Sequence, residues 1–74
     1  MNENLKSNDF TMANFSGMDL KGANFHGSIL RHVNFANCDL TDADLSDCDL
    51  TGVNFNGAIL TGANFENSGR YNEG

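Results

Sequence analysis

The 74-residue chain has only two cysteines, Cys38 and Cys48, and only four basic residues against ten acidic ones. It also lacks any apolar run near the roughly 20 residues that a membrane span needs. Two cysteines allow one disulfide and no disulfide framework, and they form no zinc-ligand spacing. The formal charge of −6 argues against direct binding to DNA, RNA or anionic lipid, whose phosphates attract lysine and arginine. The opening residues, MNENLKSNDF, have no basic stretch followed by an apolar one, so they do not read as a secretory leader. These absences leave the expectation of a soluble, cytoplasmic, acidic single domain covering residues 1–74. A domain of this size buries only about 60% of its unfolded surface, so its core must be efficient.

What is present is a repeat. Every fifth residue from Leu5 to Phe65 is Leu or Phe, and none of the seven leucines and six phenylalanines lies elsewhere. Two positions before this centre the chain is mostly small (Ala13, Ala23, Ser28, Val33, Cys38, Ala43, Cys48). One position before stands Asn or Asp, with Ile29 and Ile59 as exceptions. One position after is polar in nearly every repeat, and two after is often Gly, as at Gly17, Gly22, Gly27, Gly52, Gly57 and Gly62.

A period of five cannot be helical. At about 100° per residue the centres drift about 140° per repeat and scatter around the cylinder. Locally the pattern alternates: small inward, Asn/Asp outward, Leu/Phe inward, as a strand does. Two outward residues in succession then break the alternation, so the chain turns a corner. Glycine suits a corner with positive φ, and Asn37, Asp42, Asp47 and Asn67 tolerate that region better than most residues. Equal bends at equal spacing wind the chain into a coil that packs on itself. Three repeats per coil give mixed columns. Four stack Phe15 with Phe35 and Phe55, Leu20 with Leu40 and Leu60, and Asn14 with Asn34 and Asn54, which favours four.

Segments such as Ala23-Asn24-Phe25-His26-Gly27 and Ala63-Asn64-Phe65-Glu66-Asn67 resemble the pentapeptide-repeat family, whose motif is small, Asp/Asn, Leu/Phe, polar, Gly. The resemblance covers about residues 3–67 and leaves 68–74 as an irregular tail. It implies an all-β fold, a right-handed quadrilateral β-helix of about three coils.

Motifs for chemistry are scarce. His26 and His32 face outward with no partner ligand in a metal spacing. Cys38 and Cys48 take the small inward position and read as buried, inert thiols on opposite faces. A calcium loop starting at Asp42 needs Gly sixth and Glu twelfth, where Asp47 and Val53 stand. The glycines recur as corners rather than as a phosphate loop. No nucleophile adjoins a base, so no enzymatic activity and no cofactor are expected.

The charge pattern is more specific. Asp39, Asp42, Asp44, Asp47 and Asp49 fall within eleven residues that hold no Lys or Arg. All five are at outward positions, which makes a negative belt around the middle coil. Some members of the resembled family mimic DNA and occupy the DNA-binding surface of topoisomerases such as gyrase. The resemblance therefore implies a partner protein with a basic nucleic-acid-binding surface, such as a gyrase-like enzyme; the small, compact size fits a phage-type inhibitor of a bacterial defence complex as well. The alternative is a passive scaffolding module. That module would assemble through its coil ends, as an end-to-end homodimer, or through the exposed apolar residues Ile29 and Ile59; Tyr71 is a further apolar contact, which in a monomer would fold over the last Leu/Phe layer instead.

Overall fold

The computed structural model describes residues 4–69, and in it each residue before a centre bridges, in parallel, the residue twenty positions on. The series runs from Asn4 with Asn24 to Asp49 with Gly69. Twenty residues per coil is four repeats per coil, and the fold is a quadrilateral β-helix. Face one holds the centres Leu5, Phe25, Leu45 and Phe65. Face two holds Phe10, Leu30 and Leu50; face three Phe15, Phe35 and Phe55; face four Leu20, Leu40 and Leu60. Each strand is so short that it contributes one bridging residue per face. Ser68 and Gly69 continue the winding: Gly69 N–H donates to Cys48 O at 3.0 Å, so the ladder extends two residues past the expected end of the repeats. Arg70 and Tyr71 lie outside the described residues.

Backbone pairing follows one scheme throughout. The centre donates to the coil above (Phe25 N to Asp44 O, 2.8 Å) and the residue before it in that coil donates back (Asp44 N to Ala23 O, 2.8 Å). The corner residue adds a third bond, Gly27 N to Ser46 O at 3.0 Å. Except after Leu5 and Leu45, the turn itself closes with the centre carbonyl accepting from the third residue on, as Ser28 N does to Phe25 O at 3.0 Å. Among the described residues only the one two after each centre has positive φ, between 55° and 75° at all thirteen corners. That is the requirement of a type II turn.

The lumen is filled by the centres. Those from Leu20 to Leu50 are fully buried, whereas Leu5, Phe10 and Phe15 at one end and Phe55, Leu60 and Phe65 at the other are half-buried. Phe15, Phe35 and Phe55 stack up face three with centroids 5.6 and 5.7 Å apart. Phe25 from the opposite face meets Phe15 and Phe35 edge-on, at 5.8 and 5.5 Å. The one-strand rise of ~4.8 Å sets the near-parallel stacking, and the edge-on ring completes the quadrupole geometry. Four small-position residues use a polar hydrogen inside this wall. Ser28 Oγ donates to Leu5 O (2.9 Å), Cys38 Sγ to Phe15 O (2.8 Å), Cys48 Sγ to Phe25 O (3.0 Å) and Ser68 Oγ to Leu45 O. Cys38 and Cys48 stand on opposite faces four and two, and burial pushes both thiols up from the usual range. The Cα extents are 27 × 22 × 20 Å, so three coils make a block rather than the rod that longer stacks form.

The carboxylate belt and its surroundings

The Asn or Asp before each centre does more than face outward. Its Oδ1 turns back and accepts the N–H of the residue after the centre, as Asn34 does from Ala36 at 2.9 Å and Asn14 from Ser16 at 2.9 Å. The short side chain thus satisfies a donor that the turn leaves over, an Asx motif repeated around the coil. Where Asp is followed two residues later by Thr or Ser, the hydroxyl joins the same oxygen. Thr41 Oγ1 to Asp39 is 2.6 Å, Ser46 Oγ to Asp44 is 2.5 Å and Thr51 Oγ1 to Asp49 is 2.6 Å. These tripeptides, Asp39-Leu40-Thr41, Asp44-Leu45-Ser46 and Asp49-Leu50-Thr51, were visible in the sequence, but the backward turn of the carboxylate was not.

The structure places the five belt residues as follows. Asp39, Asp44 and Asp49 sit at mid-face on faces four, one and two, each with Oδ1 held internally. The hydroxyl hydrogen bonds hold all three carboxyls below the ordinary aspartate range. Asp42 and Asp47 stand at the corners on either side of face one, with φ of 60° and 55°. The Asp42 carboxylate folds over Gly62 of the coil above, taking the space that a Cβ there would need.

Cations, absent from this stretch of sequence, reach it from the coil beneath. Lys21 Nζ lies 3.5 Å from both Asp19 and Asp39, which raise its pKa, and Arg31 Nε donates to Asp49 Oδ2 at 2.8 Å. The belt is therefore bracketed by two bases, eighteen residues back in sequence but one coil away in space. These pairs are exposed and contribute little to stability.

His26 faces outward and is held by two neighbours from the coil above. Its Nδ1 lies 2.8 Å from Ser46 Oγ and 3.6 Å from Asp47 Oδ2. Ser46 has one hydroxyl proton and donates it to Asp44, so its oxygen accepts, and His26 Nδ1 carries the hydrogen. That arrangement is not a nucleophilic site, because the serine proton points to the wrong group and the hydroxyl is buried. Among the described residues no three His, Cys, Asp or Glu side chains gather as metal ligands, and no helix is long and apolar enough to cross a membrane.

Ile29 and Ile59 are 41% and 50% exposed, on opposite faces two and four. Neither can accept the hydrogen bond of the Asx position, and no described acceptor takes the N–H of Arg31 or Thr61. Met12, 74% exposed, occupies the corner after face two. Face three stands apart. Residues 13–17, 33–37 and 53–57 contain no ionisable side chain, and the face presents Asn14, Asn34 and Asn54 in one column.

The pentapeptide repeats family profile matches residues 4–37 and 28–67, in eight copies. The chain is a pentapeptide repeat protein. Solved structures agree with the winding. A pentapeptide repeat protein from the Arabidopsis thaliana thylakoid lumen is 36% identical with a TM-score of 0.62, covering 86% of this chain and 51% of its own. One from the cyanobacterium Cyanothece 51142 is 30% identical with a TM-score of 0.66, covering 90% of this chain and 50% of its own. HetL of Nostoc sp. strain PCC 7120, described as involved in heterocyst differentiation regulation, shares the fold at 23% identity and a TM-score of 0.63, over 96% of this chain and 35% of its own. This pentapeptide repeat spans about half the length of the first two. No curated protein matches it.

Proposed function

We propose that this pentapeptide repeat is a non-catalytic binding module that presents the carboxylates of its middle coil to a protein with a basic, nucleic-acid-gripping surface. The observation that carries this is the way the charges are held. Asp39, Asp44 and Asp49 recur every five residues around one coil, with one oxygen fixed by backbone and hydroxyl donors. Their second oxygens face outward, those of Asp39 and Asp49 shared with Lys21 and Arg31 in exposed ion pairs that a partner's cations can compete for. Anions fixed in advance lose little freedom on binding, whereas long flexible glutamates lose more. A groove that grips phosphates is complementary to such an array, and the module acts there as a competitor of DNA. The partner is a topoisomerase-like enzyme or a DNA-handling defence complex.

The test replaces Asp39, Asp42, Asp44, Asp47 and Asp49 together by Asn. Asn keeps the Asx acceptor and tolerates positive φ, so the variant loses charge without losing the fold. The parent chain, immobilised in bacterial lysate at low salt, is expected to retain proteins that added duplex DNA or raised salt releases. The Asn variant is expected to retain none of them. Equal capture by both chains overturns the reading.

The half-buried centres at each end, with Ile29 and Ile59, favour a second reading, a scaffold that self-associates. It predicts concentration-dependent dimers that raised salt leaves intact, seen by sedimentation.

A further inference from the structure

We propose that Asn56 is a site of spontaneous deamidation, through which the uncharged face three gains a negative charge with age. Asn56-Gly57 is the only Asn-Gly pair in the sequence. It occupies the two central positions of the turn that Ala58 N closes onto Phe55 O at 2.9 Å. The reaction needs a carboxamide free to reorient, a following backbone nitrogen free to attack, and no side chain on that residue to block the approach.

All three meet at this pair. Asn56 is exposed, and among the described residues its carboxamide has no hydrogen-bond partner. Gly57 carries no Cβ. As at Gly52 and Gly62, no described acceptor takes its N–H, and the Asn37 side chain lies over the space that a Cβ would fill. Seven other described asparagines are protected. Asn14, Asn24, Asn34, Asn54 and Asn64 hold their Oδ1 in the Asx bond and precede phenylalanines. The amides of Cys38 and Ser68, after Asn37 and Asn67, are tied to Phe35 O and Phe65 O.

The chemistry balances without a cofactor. Gly57 N loses its proton to solvent base and attacks Asn56 Cγ. The new C–N bond closes a succinimide, the Cγ–Nδ2 bond breaks, and Nδ2 leaves as ammonia. Water then opens the ring at either carbonyl, giving an aspartyl or an isoaspartyl linkage. The second adds a methylene to the main chain and breaks the five-residue period in the last coil.

The full chain is incubated at mildly alkaline pH beside a free peptide of residues 53–60, and both are mapped by mass spectrometry. The expected result is conversion at Asn56 ahead of every other asparagine, with isoaspartate among the products and an acidic shift on ion exchange. Asn56→Gln, whose longer side chain closes the ring far more slowly, is expected to abolish that shift. The proposal fails if Asn56 stays intact in the chain after the free peptide has converted, or if Asn56→Gln acidifies as fast as the parent.

Discussion

At the scale of the residue, the position before each centre decides how well a repeat is made. Its Asn or Asp accepts a backbone N–H that the turn leaves without a partner. Asn34→Ala is therefore expected to lower the unfolding free energy by about 1 kcal/mol in urea titrations, with Asn34→Asp close to neutral. Ile29→Asn should act in the opposite direction by restoring an acceptor for Arg31 N–H, a gain of about 0.5–1 kcal/mol. The acids also link stability to pH. Asp39, Asp44 and Asp49 titrate lower in the folded chain than unfolded, because hydroxyl and amide donors favour the carboxylate. Their contribution is full above the unfolded value of about 3.9 and is lost as pH falls through the folded values. Urea midpoints should therefore drop in acid. Replacing Asp44 and Asp49 by Asn should flatten that drop while leaving the neutral-pH midpoint nearly unchanged. An undiminished acid slope in this variant would assign the loss to other groups.

The repeating element is a bridge residue plus a turn, and here the sequence was informative in an uneven way. The inward Leu and Phe were legible because no other position holds those residues. The corners at Asn37, Asp42, Asp47 and Asn67 were legible from residue type. Ser7, Met12 and His32 were not, since their types say nothing of positive φ, yet they adopt φ of 60°, 66° and 58°. The period imposes the turn and overrides the residue. A second role of the corner glycines was invisible too. Asn37, Asp42 and His32 fold over Gly57, Gly62 and Gly52 of the next coil, so those glycines provide room as well as φ. Equally hidden was the approach of Lys21 and Arg31 to the belt, because it depends on the coil register. Met12 bears the positive φ with no visible return: its side chain is exposed and only its N–H is used, to Arg31 O at 2.8 Å. Met12→Asn is expected to raise stability by about 1 kcal/mol in the same titrations, since Asn adopts this region more readily. Gly62→Ala should lower it, by strain at φ 72° and by displacing Asp42.

For the whole molecule, the decisive feature is that every coil touches only its neighbours. Stability in such a stack is close to a sum of local and nearest-neighbour contributions, so it is unevenly distributed. The fully buried centres run from Leu20 to Leu50, while both end layers are half-exposed. Phe35, stacked between Phe15 and Phe55 and met edge-on by Phe25, is fully enclosed. Phe35→Ala should cost about 3–5 kcal/mol, and Phe10→Ala distinctly less because its surroundings are already open to water. The same gradient belongs in the backbone. Amides of Phe25, Leu30, Phe35 and Leu40 donate to the coil above from within the closed lumen wall. Leu5 and Ser7 make the same kind of bond from the outermost coil. Fraying from an end opens the outer bonds without disturbing the middle. Hydrogen exchange followed by NMR should therefore show Leu5 and Ser7 exchanging by local opening. The four middle amides should exchange only through global unfolding, with protection matching the urea free energy. Uniform protection along the chain would mean that the coils unfold as one cooperative unit, and the difference expected between Phe35→Ala and Phe10→Ala would then reflect burial at each site alone.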